Sequence, residues 1–319
     1  MKAAIVHSFD HPPRYGDIDA PQAAAGEVLV QVRAAALSQL VRAQASGKHY
    51  SSGKTLPVVP GADGVGVLED GTRVYFAFPR APIGAMAETV AVHARNCVAI
   101  PQGVDDITAA AIANPGMSSW AALQERARFQ PGERVLINGA AGTSGRLAIQ
   151  VAKHLGAARV VATARNPAVE AELKALGADE FICLDQPAEA LTATFREHLL
   201  GQGIEVVLDY LWGPPAACIL DALVSHGSSE AAPRVRFVNI GSLAGASLPL
   251  TPGALRSSGL ELLGSGLGSV SHEGLVRVVG QLLSAIGPAG LKVEAQAVPL
   301  SEVETAWQGS AAERIVFTL

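Results

Sequence analysis

Cysteine is scarce and scattered: Cys97, Cys183 and Cys218 lie far apart in a chain of 319 residues. That spacing offers no disulfide framework and no Cys-x-x-Cys pair for metal or redox work, so buried structural thiols are expected. The eight histidines also lack metal-type spacing. No run of basic residues occurs, and 24 Lys and Arg against 29 Asp and Glu leave a net charge of -5. A nucleic-acid or anionic-membrane surface is therefore not expected. Nor is there an apolar stretch long enough to span a bilayer. The opening "MKAAIVHSFDHPPR" offers one Lys and a short apolar patch cut off by His7, with no small-residue cleavage site; a cytoplasmic protein is predicted. Internal repeats and low-complexity segments are missing, and the polar connection 225–234 is the most flexible-looking piece.

What the chain does have is apolar material: 49% of it is hydrophobic, enough for two domains with their own cores. Up to about residue 113 the texture is strand and turn. In "EVLVQVR", Val28, Val30 and Val32 alternate with Leu29, Gln31 and Arg33, which predicts a half-buried strand in a β-rich domain. Beyond 115, continuous apolar runs alternate with helical stretches: "RVLIN", "RVVAT", "EFICL", "EVVLDY", "RFVNIG" and "LELLGSG". Strands buried on both faces read this way, and helices between them form crossovers of a parallel sheet. A doubly wound α/β sheet is predicted, with one helix opened by Pro167 and closed by Gly177. The last part reads as helix, strand, helix and strand, returning to the first domain.

The segment "NGAAGTSG", 138–145, stands between "RVLI" and the amphipathic "RLAIQVAKHLGA". Taken alone, such a turn is either a phosphate cradle or a bend. Its placement after a buried strand and before a helix favours the cradle: small residues let the backbone approach a pyrophosphate at the positive end of the helix. Gly139, Ala141, Gly142, Thr143, Ser144 and Gly145 are the candidate contacts. The next strand ends in "VVATARNP". An acid there would hold the ribose 2′-hydroxyl of NAD, whereas Ala164 followed by Arg165 suits a 2′-phosphate, so NADPH is favoured. The competing account of Arg165 is a solvated residue ahead of Pro167.

Together, "PGADGVG", "NPGMSSWAAL", "GAAGTSG", "QVAKHLGA", "LGADEFI" and "RFVNIG" resemble the medium-chain dehydrogenase/reductase superfamily over essentially the whole chain. Within it the sequence is similar to the zinc-independent quinone oxidoreductase branch. The resemblance implies a GroES-like catalytic domain over 1–114 and 268–319, a Rossmann NADP-binding domain over 115–267, a cofactor cleft at their junction, and a homodimer through strand edges near "LELLGSG". It also places Tyr210 near the adenosine and Asn239 and Gly241 near the nicotinamide.

The departures from zinc alcohol dehydrogenases matter too. Where those enzymes have a Cys and a Gly-His-Glu motif, this chain has Ser38 and "GADG", with Ala62 and Asp63, and their four-cysteine lobe is absent. Catalytic zinc needs three protein ligands, so no metal is expected. Acceptors already activated for hydride remain: quinones or similar conjugated carbonyls. Ser38 stands where this branch usually has Asn, and the resemblance implies that it lines the substrate pocket with Tyr50. In "SGKHYSSG", Tyr50 is either a general acid, since a phenol is protonated at neutral pH, or a residue that only shapes the pocket. Enone or enoyl-thioester reduction, for which Arg42, Lys48 and Lys54 are candidate cations, and a non-catalytic NADPH sensor are the alternative functions.

Overall fold

The computed structural model describes residues 1–49, 51–224, 231–309 and 314–319. Tyr50 and most of the polar connection, 225–230, lie outside the described residues. The chain divides into two compact units, Met1–Asn114 with Leu275–Leu319, and Pro115–Gly274.

The first unit holds the pair β1 (Lys2–Ile5) and β2 (Arg14–Asp17), then β3 (Glu27–Ala36), the short helix α1 (Gln39–Ala45), β4 (Asp63–Val67), β5 (Arg73–Ala77), β6 (Thr89–His93) and β7 (Cys97–Ala99). Helix α2 (Asp106–Ala121) begins in this unit. The chain's end adds β14 (Gln296–Pro299), α9 (Val303–Ala306) and β15 (Ile315–Thr318). The large sheet runs β14-β15-β3-β4-β5-β7, with β6 also on β3. The alternation in β3 is visible: Val30 and Val32 are buried while Leu29, Gln31 and Arg33 are exposed. They pack with Phe76, Met86 and Phe317 in the core of this unit, each large side chain contributing about 1.5–3 kcal/mol by burial.

In α2, Pro115 has no N–H to give the carbonyl of Ala111. Arg314, just before β15, supplies the missing donor: its Nε bonds Ala111 O at 3.0 Å and its guanidinium also reaches Ala110 O at 3.3 Å.

The second unit contains β8 (Arg134–Asn138), α3 (Thr143–His154), β9 (Arg159–Ala164), α4 (Glu170–Ala175), β10 (Glu180–Cys183), α5 (Ala188–Arg196), β11 (Val206–Asp209), α6 (Gly213–Ala222), β12 (Arg234–Asn239), α7 (Pro252–Arg256) and β13 (Gly259–Gly264). Helix α8 (His272–Ala289) starts at its end and continues into the first unit. The strands form one parallel sheet in the order β10-β9-β8-β11-β12-β13. This is the doubly wound arrangement, in which the order reverses between β8 and β11. Leu136, Val161, Val207 and Phe237 from four strands share one core with Phe195 of α5.

Pro167 opens the helical segment as expected, but its first turn is 3-10. Asn166 caps a 3-10 turn at Pro167–Val169, accepting from Ala168 N at 3.0 Å, and α4 proper begins at Glu170. The side-chain cap rewards the tighter turn first. Gly177, with φ of +111°, does end that segment.

Candidate functional site

The carboxyl ends of β8 and β11 lie at the reversal point of the sheet, where open α/β sheets bind ligands. Three glycines after β8 have separate physical reasons. Gly139 has φ of +96°, which turns the chain off the strand. Gly145 is packed so that an added Cβ would meet Gly139 O and Ala140 Cα at 2.5 Å; it lets α3 approach the turn. Gly142, the residue before α3, has nothing within 4 Å of where a Cβ would stand and makes no side-chain cap bond. Gly142 is exposed and Ala141, Thr143 and Ser144 are half-buried, so solvent reaches the first turn of α3, whose N–H groups have no partner within the helix. This arrangement suits an anion such as a pyrophosphate.

Beneath the turn runs a feature that strand-by-strand inspection misses. Thr163, Asn138, Asp209 and Asn239 stand in one register row across β9, β8, β11 and β12. Thr163, Asn138 and Asp209 are buried and Asn239 is half-buried. Asn138 Nδ2 donates to Asp209 Oδ1 at 2.8 Å, and Asn239 Nδ2 donates to Asp209 Oδ2 at 3.0 Å and to Gly241 O at 2.8 Å. Thr163 Oγ1 donates to Asn138 Oδ1 at 3.0 Å and accepts from Gly139 N at 3.1 Å. Asp209 also accepts the backbone N–H groups of Leu211 and Trp212, each at 3.1 Å. Burial raises the Asp209 carboxyl above its usual range, while its side-chain and backbone donors pull it back. The signal was present in the sequence as the polar residues closing or interrupting the apolar runs, but only the register aligns them.

Of the other candidates in this unit, Arg165 follows β9 directly and is exposed. Its side chain has no ion-pair partner among the described residues. Leu184 is buried, and its N–H bonds Ala164 O at 2.8 Å, which fixes the strand ends beside Arg165. Tyr210 is buried with its hydroxyl 3.3 Å from Ser118 Oγ. Burial pushes its phenol up to about 12, so it stays neutral and hydrogen-bonded at ordinary pH. A Cβ on Gly241 would stand 2.7 Å from Tyr210 O, so the turns after β11 and β12 are packed together.

In the first unit, Ser38 caps α1, its Oγ accepting from Val41 N at 3.2 Å. Arg42 is engaged as well: it lies over the Trp307 ring at 5.6 Å and donates to the Trp307 carbonyl. The candidate acid Tyr50 is outside the described residues. Asp63 is fully enclosed, with Oδ1 accepting from Asn114 Nδ2 at 3.0 Å and Oδ2 without a hydrogen-bond partner among the described residues. Burial pushes its carboxyl up to about 6, against the pull of Arg314 and Tyr75.

The residues at the zinc-ligand positions do not fit a zinc ion. Ser38 offers a neutral hydroxyl where zinc sites use thiolate, imidazole or carboxylate, and Ala62 has no donor atom. Among the described residues no three His, Cys, Asp or Glu side chains converge on one point. Among them, too, no helix is long and apolar enough to cross a membrane.

Residues 145–282 match the family model described as zinc-binding dehydrogenase. A probable NADPH-dependent quinone reductase of Emericella nidulans is 29% identical over 97% of this chain and 96% of its own. The quinone oxidoreductase of Thermus thermophilus, solved also in complex with NADPH, superposes with a TM-score of 0.82 at 30% identity, covering the whole of both chains. A mycocerosic acid synthase-like polyketide synthase of Mycobacterium tuberculosis is 31% identical over 76% of this chain, which spans only 11% of that protein.

Proposed function

The chain belongs to the medium-chain dehydrogenase/reductase superfamily, in its quinone oxidoreductase branch, and from that premise we propose that it is an NADPH-dependent quinone oxidoreductase working without zinc. The observation that carries the proposal is the open end of α3 at Gly142, at the sheet's reversal point, with an uncommitted Arg165 beside it. In this reading the 139–145 turn holds the pyrophosphate. Arg165 takes the 2′-phosphate through charge-assisted hydrogen bonds of about 1.5–3 kcal/mol, roughly ten- to a hundredfold in affinity. Tyr210 borders the adenosine, and Asn239 and Gly241 the nicotinamide.

Bound NADPH supplies the hydride. Without a Lewis acid to polarise a simple ketone, the substrate has to be conjugated beforehand, as a quinone is. The protein then supplies orientation and water exclusion, and the reduced oxygens collect protons from solvent. Ser38 and Tyr50 are assigned to the substrate side, Tyr50 on its sequence position alone. The first unit is the GroES-like catalytic domain and the second the NADP-binding domain of this reading. A cytoplasmic homodimer is part of it, supported by the edge position of β13 and its exposed Leu262.

The test is NADPH absorbance decay on adding an ortho-quinone, with NADH in parallel. Rapid loss with NADPH is expected; no loss in a sample that binds NADPH would reject the activity, and a saturated carbonyl formed from an enal would redirect it to enone reduction. Arg165→Ala should weaken NADPH roughly ten- to a hundredfold and leave NADH nearly unchanged; equal losses would remove the 2′-phosphate assignment. Gly142→Val should keep its melting temperature, since its side chain enters open space, yet lose NADPH binding. Retained binding would mean that the turn is only a turn.

A further inference from the structure

The row beneath the glycine turn is directional. A carboxylate only accepts hydrogen bonds, so Asp209 dictates which way each neighbouring amide points. Asn138 turns Nδ2 to Asp209 and therefore Oδ1 to Thr163. Thr163 then gives its hydroxyl proton to Asn138 and keeps a lone pair for Gly139 N. On the other side, Asn239 turns Nδ2 to Asp209 and to Gly241 O at once. One buried charge thus reaches Gly139 through two side chains and Gly241 through one.

Shape alone would not do this. An amide at position 209 would face a donor toward Asn138 or Asn239. Flipping Asn138 to meet it leaves the Thr163 proton without its acceptor. Flipping Asn239 withdraws the donor from Gly241 O. In either case a buried polar group goes unmatched.

We infer that Asp209 is a positioning residue of the NADPH site, whose carboxylate orients both the Gly139 turn and the Asn239–Gly241 turn by charge rather than by shape. The inference rests on the cofactor reading above. Asp209 itself touches no reacting atom; it acts through Asn138, Thr163 and Asn239.

The experiment is a fluorescence titration of NADPH and NADH on the wild type, on Asp209→Asn, and on Asn138→Asp combined with Asp209→Asn, with melting temperature recorded for each. The single variant should raise Kd for both nucleotides by about tenfold or more, because Arg165, assigned to the 2′-phosphate, is not a member of the row. The double variant moves the acceptor to position 138, where it can take the Thr163 proton and the new amide, while the oxygen at 209 still meets Asn239. Only the Leu211 N–H loses its partner, so most of the lost affinity should return. A merely structural role would lower the melting temperature and leave Kd of the folded protein alone.

Kd within twofold of wild type in Asp209→Asn, or a double variant no better than the single one, would overturn the inference while leaving the cofactor assignment standing. If Asp209→Asn does not fold, Thr163→Val cuts the same chain at the Gly139 end; weaker binding of both nucleotides is expected, and unchanged binding overturns the inference. A wild type that binds no NADPH removes the cofactor reading and this inference together.

Discussion

Each of the two units buries a carboxylate, and the two are treated differently. Asp209 in the second unit meets four donors, two from asparagine side chains and two from the backbone of its own turn. Asp63 in the first unit has one hydrogen-bonded oxygen and one bare one among the described residues. Burial raises both, Asp63 to about 6, while the hydrogen bonds from Asn239, Asn138 and the turn backbone pull Asp209 back down. A buried charge is tolerated where its lone pairs are matched, and is driven toward its neutral form where they are not. The matched carboxylate adjoins the candidate cofactor site; the unmatched one lies in the β-rich core, with the positive charge of Arg314 as its main electrostatic support.

The strongest way to break the comparison is to remove that support. Arg314→Met should lower unfolding free energy by about 3 kcal/mol or more, since it strips a buried counter-charge and the donor to Ala111 O. Urea denaturation would measure it, and a loss below about 1 kcal/mol would show that Asp63 needs no counter-charge.

The next effect is one of pH. The folded-state pKa of Asp63 is raised, to about 6 from an ordinary 3.8. Its contribution to stability is therefore fully present below about pH 4 and is lost as pH rises through 6, by at most about 3 kcal/mol. Urea curves for the wild type should decline over that window relative to Asp63→Asn; parallel pH profiles would reject the assignment.

The smallest effect is expected at the surface. Glu172→Gln cuts the bidentate pair with Arg146, at 2.6 and 2.9 Å, but the carboxylate is half exposed. A change below about 1 kcal/mol is expected, and a larger one would mean that surface charge rivals the buried sites.

Much of the architecture was legible without coordinates. Continuous apolar runs marked the strands of the parallel sheet, because strands covered on both faces have no polar side. The alternation of Val30 and Val32 with Gln31 and Arg33 marked β3, because one of its faces meets solvent. The glycine turn was visible as a motif, and Arg165 was visible by its place after the next strand. Other features were hidden. Asp209 lay unremarked inside the run "EVVLDY", Ser38 was read as a pocket residue with no hint of its capping bond, and nothing in the sequence singled out Arg314. The helical segment does open at Pro167 and close at Gly177; its 3-10 first turn, capped by Asn166, was not legible in the sequence.

The division follows from the range of the forces involved. Periodicity, turn chemistry and the order of elements depend on residues near one another in the chain, so the sequence by itself determined the strand and helix pattern, the glycine turn and the charge that follows β9. Register decides which residues stand side by side across strands, and it is set by packing between segments distant in sequence. Only the tertiary structure could therefore join Thr163, Asn138, Asp209 and Asn239 into one row, or bring Arg314 to the carbonyl that Pro115 leaves without a donor.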